Sequence, residues 1–287
     1  MPNSSHSEKI KELRRITGAG FSDCSAAIIE CNGDIDESIK YLRVKGISKA
    51  SKKMSRVAND GLVCIYEKND KSSIVEINCE TDFVAKNIEF LNFSENISTL
   101  CINVNGDLNS LKNEKMKDGS TVEENIVKLI SKIGEKITIR RCNFFNYNNS
   151  KNFSYVHSAL KKNVGKIGVL VSIESKKFDE KIDNFGHKLA MHIAATNPLA
   201  VDVNNIDEVS INKEKELINE ELKNSGKDTK IIEKISKGKL EKYKQENTLL
   251  NQYWVMDPKK RVKEVIAELG IENGISIRDF IRYKVGE

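Results

Sequence analysis

The sequence has 287 residues, of which 39% are hydrophobic and 31% are charged, and its formal net charge at pH 7 is +5. A chain of this length can bury a sizeable apolar core in about two domains without help from disulfides or metal sites. No apolar run approaches the roughly 18 residues of a membrane span, and the polar start, Met1 to His6, does not resemble a secretory leader. We therefore expect a cytoplasmic protein, or one of an organelle matrix if the source is eukaryotic.

The charge and cysteine patterns argue against two further classes. The 47 Lys and Arg residues are interleaved with 42 Asp and Glu residues, which is typical of a solvated surface and not of the concentrated positive face of a nucleic-acid-binding protein. The cysteines lie in the first half of the chain without a CxxC pair, so we expect reduced thiols and neither disulfides nor zinc ligands.

Residues 1–45 predict a small helical domain. Apolar residues recur at helical spacing in three short segments. Thr17 to Gly20 ends the first segment, Ser22 or Asp23 can cap the second, and Asn32-Gly33-Asp34 stops the second and caps the third. These joints indicate a three-helix bundle.

The pattern changes twice after the bundle. Residues 46–59 are rich in basic residues and serine with few apolar ones, which predicts a basic linker. Residues 60–145 then predict a first core subdomain, with a hairpin of strands at 62–66 and 74–78. This subdomain also has an amphipathic helix at 122–132 and a strand at 136–141.

Residues 146–206 repeat the order of strand, turn, strand and helix, which predicts a second subdomain related to the first. Residues 207–250 are highly charged with a narrow apolar stripe on each side of a break at 224–226, which predicts an antiparallel helical hairpin. Residues 251–287 predict a helix and a strand that return to the second sheet. The predicted fold class is therefore α+β with antiparallel sheets.

No motif for nucleotide binding or catalysis stands out. Gly18-Ala19-Gly20 lies between two helices and not after a strand, and there is no phosphate-binding loop, so we expect no direct nucleotide binding. His187 and His192 would lie about 140° apart on a helix and cannot share a metal. His192 has apolar neighbours, which favours a hydrogen-bonded core histidine. We expect no enzyme activity, no metal and no cofactor.

Thr81-Asp82-Phe83-Val84, which we call the wedge, follows a predicted strand and precedes a helical stretch. Two interpretations fit this position. In one, Asp82 caps the helix and Phe83 is its first core contact. In the other, an exposed aromatic ring beside a carboxylate is held ready for insertion into a partner's groove.

Six motifs in the same order along the chain resemble the elongation factor Ts family, and the resemblance spans nearly the whole sequence. They are Leu13 to Cys24 followed by Asn32 to Ile35; Asn78 to Lys86; Ile133-Gly134-Glu135 with Ile139-Arg140-Arg141; Ser154 to His157; Ala190 to Ala195; and Ser225 to Lys227 through Val255 to Pro258.

The resemblance implies a guanine-nucleotide exchange factor for elongation factor Tu that binds the GDP-bound and nucleotide-free partner. It implies that the wedge, Thr81, Asp82, Phe83 and Val84, intrudes beside the partner's switch region and disturbs its bound Mg²⁺. His157 is implied as a second point of intrusion, and the N-terminal contact as Thr17, Gly18, Ala19, Gly20 and Asp23.

The resemblance also implies a fold in which the N-terminal bundle is similar to a ubiquitin-associated domain and the hairpin is a coiled coil that could form a homodimer. Better-known members continue past the position of Glu287 into a helical module, so we expect one partner contact fewer here. An alternative function is an RNA- or ribosome-binding accessory protein that uses the basic segment at 46–56.

Overall fold

The computed structural model describes residues 4–223, 228–270 and 274–287. These residues form two compact units. The first unit comprises the residues up to 144 together with 158–167 and 283–287, and the second comprises 145–157 and 168–282. Helices and antiparallel strand pairs are both present, which confirms the predicted α+β class.

The first unit begins with three helices, which are α1 (Ser4–Thr17), α2 (Phe21–Glu30) and α3 (Ile35–Lys53). The joint after α1 needs a left-handed residue, which Gly18 supplies with φ +67°. The Asp34 carboxylate caps α3 by accepting a hydrogen bond from the Glu37 N–H at 2.8 Å. The predicted stop and cap between α2 and α3 are therefore confirmed.

Two local predictions for this region are wrong. Gly20 occupies the N-cap position of α2 without a side-chain cap, so neither Ser22 nor Asp23 caps the helix. Residues 46–53 of the predicted linker are helical, because α3 continues to Lys53. The basic residues of this segment therefore lie on the C-terminal part of α3, beyond the residues of α3 that pack against the bundle core.

That bundle core is smaller than the apolar pattern suggests. Its buried members are Ile10, Leu13, Cys24, Ala27 and Ile28. By contrast, Ile16 and Ile29 are 50% and 61% exposed although both fit the helical spacing. A bundle of this size cannot bury every apolar side chain of three helices.

The sheet of the first unit has four strands in the order β3-β2-β1-β5. The strands are β1 (Asp60–Lys68), β2 (Lys71–Cys79), β3 (Thr138–Phe145) and β5 (Val164–Gly165). β1 and β2 form the predicted hairpin, with register running from Asp60 opposite Cys79 to Lys68 opposite Lys71. Asn69 adopts a left-handed conformation in the tight turn between them (φ +55°).

Four helices cover this sheet or its ends: α4 (Asp82–Ala85), α5 (Ile88–Cys101), α6 (Leu108–Asn113) and α7 (Val122–Ile133). α5 packs on β1 and β2 and contributes the buried Phe90 and Ile97 to the core. α7 begins with a capping box between Thr121 and Glu124 and contacts α3. The helix predicted at 122–132 is therefore confirmed.

The second unit contains a three-stranded sheet in the order β4-β6-β9. Its elements are β4 (Ser150–His157), β6 (Ile167–Glu174), α8 (Glu180–Thr196), α9 (Glu208–Lys223), α10 (Thr229–Glu246), β7 (Tyr253–Trp254), β8 (Asp257–Arg261), α11 (Val262–Glu268) and β9 (Ser276–Lys284). α8 packs on β4, and α9 contacts α10.

Two sequence predictions for this unit are confirmed, since α9 and α10 are the expected pair of charged helices and β9 returns to the sheet. The predicted break at 224–226 lies outside the described residues. In the part of the chain that the structure covers, no helix combines the length and apolar character needed to cross a bilayer.

Candidate partner-binding site

The wedge forms the connection from β2 into α4. Thr81 is the N-cap of this one-turn helix and has an extended backbone (φ −131°, ψ 158°). Its hydroxyl accepts a hydrogen bond from the Val84 N–H at 3.4 Å. The alternative in which Asp82 caps the helix is therefore wrong, because the cap lies one residue earlier.

Glu135 holds the backbone that leads into the wedge. Its Oε2 accepts hydrogen bonds from the N–H groups of Glu80 and Thr81, both at 3.1 Å. Its Oε1 accepts a third hydrogen bond from the Thr81 hydroxyl at 2.7 Å. Both oxygens of the Glu135 carboxylate therefore accept hydrogen bonds from the two residues that immediately precede Asp82.

A reciprocal contact joins the same two segments. The Glu80 carboxylate accepts a hydrogen bond from the Lys136 N–H at 2.7 Å and pairs with Arg56 at 3.2 Å. The Lys136 N–H is the main reason that the pKa of Glu80 is lowered, and the Arg56 guanidinium acts in the same direction. Residues 80–81 and 135–136 thus bind each other through the carboxylates of Glu80 and Glu135.

Phe83 has the most exposed aromatic side chain in the described part of the chain, with 81% of its surface accessible. Its two successors point the other way, since Val84 and Ala85 are buried in the core of the first unit. The interpretation of Phe83 as a core contact is therefore wrong. α4 presents the ring on one side while the other side is anchored by packing.

Asp82 lies beside Phe83 and pairs with Lys86 one turn later, with Oδ2 and Nζ 2.7 Å apart. This hydrogen bond is the main reason that the pKa of Asp82 is lowered and that of Lys86 is raised. About half of each side chain is exposed to solvent. The site therefore joins an exposed ring to an ionised carboxylate that already has a cationic partner.

His157 lies in the second unit, at the end of β4, and its side chain is exposed. Its Nδ1 is 3.2 Å from the Tyr155 hydroxyl, two residues earlier on the same face of the strand. The next residue, Ser158, has a left-handed backbone (φ +52°), so the strand ends at His157. The ring is thus presented at a strand end and oriented by its neighbour.

The N-terminal group, Thr17 to Gly20 with Asp23, forms the turn between α1 and α2. The Thr17 hydroxyl donates to the Leu13 carbonyl at 2.7 Å and accepts from the Ala19 N–H at 3.3 Å, which fixes the turn. Asp23 pairs with Lys45 of α3 at 3.6 Å. These contacts give the turn a defined shape at the surface of the first unit.

The C-terminal part of α7 runs beside this turn. The Lys132 side chain approaches Gly18 so closely that a Cβ there would lie 3.2 Å from its Nζ. α3 also reaches α7, and a Cβ at Gly46 would lie 2.7 Å from the Ser131 hydroxyl. Since Glu135 follows two residues after the end of α7, one helix supports both the N-terminal turn and the wedge.

His192 is the core histidine that its apolar neighbours predict. It is completely buried, its Nε2 lies 3.1 Å from the Gln252 side-chain oxygen, and its ring stacks on Trp254. Burial lowers its pKa to about 4. The ring is therefore neutral near pH 7 and does not belong to the surface site.

Comparisons with known proteins decide the family. The profile of the family described as Elongation factor TS matches residues 80–287. The chain is 38% identical to the elongation factor Ts of Gluconobacter oxydans over 278 residues and 41% identical to that of Rickettsia bellii over 283 residues. Each alignment covers 97% of this chain and 91% of the relative. The chain belongs to the elongation factor Ts family.

Membership in the elongation factor Ts family assigns the chain to translation elongation in protein biosynthesis. The matched region begins at Glu80 and includes the wedge, Glu135 and His157. The N-terminal turn lies before this region, although the alignments with the elongation factor Ts relatives extend over nearly the whole chain.

The role of Glu135 was not predicted, although Ile133-Gly134-Glu135 is one of the motifs that resemble elongation factor Ts. Its partners lie 54 and 55 residues earlier in the chain. No spacing rule connects residues at that separation, so the motif alone does not reveal the contact.

Proposed function

We propose that this protein is a guanine-nucleotide exchange factor for elongation factor Tu, and that it binds the GDP-bound and the nucleotide-free partner. The observation that carries the proposal is the 81% exposure of Phe83 on a helix whose opposite side is buried. The exposed Phe83 ring contributes little hydrophobic stabilisation to the folded chain, so its apolar surface is free to be buried against a partner. A rigid base beneath it suits insertion into a partner.

The wedge acts on the partner's magnesium site and switch region. Mg²⁺ demands near-ideal octahedral oxygen ligands and tolerates little displacement of them. If the wedge packs best when those ligands have moved, its binding energy lowers the affinity for GDP, and GDP weakens the wedge contact by the same factor. Exchange therefore requires no chemical step in this protein.

His157 provides a second point of intrusion. Its exposed position at the end of β4 and its contact with Tyr155 support this role, because a ring held in one orientation loses little entropy on binding. The side chain would contact the partner by hydrogen bonding and van der Waals packing.

The N-terminal turn, Thr17 to Gly20 with Asp23, provides a further contact with the nucleotide-binding domain of the partner. Two exposed apolar side chains flank it, since Ile16 is 50% and Phe21 is 58% exposed. An apolar patch beside a well-ordered turn is suited to a protein contact.

Finer features of the fold and the cellular compartment are further parts of the proposal. α1 to α3 would form a bundle similar to a ubiquitin-associated domain, and residues 60–145 and 146–206 would be two related α+β subdomains. α9 and α10 would form a coiled coil, for which Leu217 (53% exposed) and Ile231 (51% exposed) offer a homodimer contact. The protein would act in the cytoplasm.

The direct test is release of a fluorescent GDP from preloaded elongation factor Tu. We expect stoichiometric amounts of this protein to accelerate release, and excess unlabelled GDP to prevent rebinding of the label. Free Mg²⁺ should slow the accelerated reaction, because it favours the state with intact ligands. Release at the uncatalysed rate with a folded sample would refute the proposed function.

A further inference from the structure

We propose that Glu135 is the positioning residue of the wedge, and that its carboxylate fixes the backbone from which Phe83 projects. The inference rests on the proposed exchange function and assigns a role to a residue whose carboxylate binds Glu80 and Thr81, the two residues before Asp82. The structural claim can also be tested without elongation factor Tu.

α4 cannot hold the wedge by itself. The helix has four residues, and a single turn has little stability of its own because helix nucleation is unfavourable. The Thr81 cap contributes only a long hydrogen bond of 3.4 Å. The position of Phe83 therefore depends on contacts from outside the helix.

Besides the packing of Val84 and Ala85 in the core, Glu135 supplies hydrogen bonds immediately before Asp82. Its two oxygens accept three hydrogen bonds from Glu80 and Thr81, at 3.1, 3.1 and 2.7 Å. Hydrogen bonds to an ionised carboxylate are stronger than neutral ones. Phe83 follows only two residues after Thr81, so rotation of the Thr81 backbone would swing the ring.

Glu135 itself closely follows a rigid element, α7. α7 carries a capping box at its start and ends at Gly134 in a left-handed conformation (φ +85°). Leu129 and Ile130 of α7 are buried in the core of the first unit. The return hydrogen bond from the Lys136 N–H to Glu80 fixes the same junction from the other direction.

The consequence for exchange follows from where binding energy is used. A wedge on a fixed base can displace the ligands of the partner's Mg²⁺. A loosely held wedge moves instead and leaves those ligands in place. Loss of Glu135 should therefore lower the maximal rate of GDP release more than it weakens the complex. A purely structural residue would instead reduce activity only in proportion to the unfolded fraction.

The experiment compares Glu135→Ala and Glu135→Gln with a control, Glu67→Ala. The control removes an exposed glutamate from β1 of the first unit. We expect Glu135→Ala to lower the maximal rate of GDP release about tenfold or more while the half-saturating concentration changes less than about threefold. Glu135→Gln keeps one acceptor oxygen and should be intermediate. The control should match the wild type.

Amide hydrogen exchange provides the measurement that does not depend on the partner. In Glu135→Ala, exchange at Glu80, Thr81 and Val84 should rise about tenfold or more, while the amides of β1 and β2 keep wild-type protection. Thr81→Val should raise the exchange rates of the same amides. The double variant with Glu135→Ala should exchange little faster at these positions than Glu135→Ala alone.

The possible results separate the two proposals. If wild-type protein does not accelerate GDP release, the proposed function fails, while local hydrogen exchange still decides the positioning role. Unchanged exchange at 80–84 in Glu135→Ala would overturn the positioning role whatever the activity. Wild-type maximal rates in a folded Glu135→Ala, or uniformly faster exchange across the whole first unit, would overturn it too.

Discussion

Phe83 and Phe90 lie seven residues apart in opposite environments: 81% of the Phe83 surface is exposed, whereas Phe90 on α5 is completely buried. The two rings belong to consecutive helices, and only the second contributes to the core of the first unit. The pair offers a test that separates partner binding from stability.

We predict that Phe83→Ala leaves the melting temperature within about 2 °C of the wild type, because a surface substitution usually changes the free energy of unfolding by less than about 0.5 kcal/mol. The same variant should lose most of its acceleration of GDP release. Thermal unfolding by circular dichroism and the fluorescent GDP assay give the two measurements.

Phe90→Ala is the matched control, and it should lower the free energy of unfolding by about 3–5 kcal/mol because it leaves a cavity in the core. Where the variant is still folded, the folded fraction should accelerate GDP release from elongation factor Tu as the wild type does. A large loss of stability in Phe83→Ala would contradict the exposed position of the ring.

The burial of His192 makes stability depend on pH. The pKa of His192 is about 4 in the folded protein and about 6.5 in the unfolded chain, so the unfolded state binds more protons between these values. Stability from this residue is therefore complete above pH 6.5, falls as the pH drops towards 4, and amounts to at most about 3 kcal/mol.

Urea unfolding at pH 5.0, 6.0 and 7.5 would measure this dependence. His192→Gln cannot titrate, so its free energy of unfolding should vary less over the same range even though its value at pH 7.5 is lower. Equal pH dependence of the variant and the wild type would contradict the prediction.

A buried carboxylate in the first unit is paired with an arginine. Glu76 is completely buried, and its Oε2 lies 2.6 Å from Nε of Arg141, whose guanidinium also stacks 4.2 Å from the centre of the Tyr283 ring. Arg141→Met keeps the apolar contact but removes the positive charge beside the Glu76 carboxylate. We predict a loss of about 2–4 kcal/mol in the free energy of unfolding.

Adding Glu76→Gln to Arg141→Met should recover part of this loss, because the uncompensated charge is removed while the hydrogen bonds from Gly286 and Asn78 have an amide oxygen to accept them. Urea unfolding of the two single variants and the double variant gives the coupling energy. Additive losses would show that the two side chains act independently.

Two helical glycines should respond to alanine in opposite directions. A Cβ at Gly186 of α8 would lie 2.4 Å from the buried ring of Phe153, whereas a Cβ at Gly238 of α10 would meet nothing within 4 Å. Gly186→Ala should destabilise the protein by about 1–3 kcal/mol. Gly238→Ala should stabilise α10 by up to about 1 kcal/mol, because alanine favours the helix. Melting temperatures of the two variants decide the question.

The sequence by itself determined those features that depend on neighbours in the chain. The hairpin of β1 and β2 follows from two short apolar runs on either side of a polar turn. The Asp34 carboxylate lies three residues before the N–H from which it accepts a hydrogen bond. Such signals extend over a few residues, so their physical cause is visible in the sequence. At the start of α2, where such a signal fails, the predicted cap lies two or three positions from the observed one.

Only the tertiary structure decided that Phe83 is exposed and that Glu135 supports the wedge. Strand end and helix start were evident, but whether Phe83 faces the core depends on which side of a one-turn helix meets α5 and the sheet. The support from Glu135 depends on folding that closes a loop of more than 50 residues, and no local pattern encodes such a contact. Side-chain chemistry is local to the sequence, whereas exposure and long-range hydrogen bonding arise only when the core has formed.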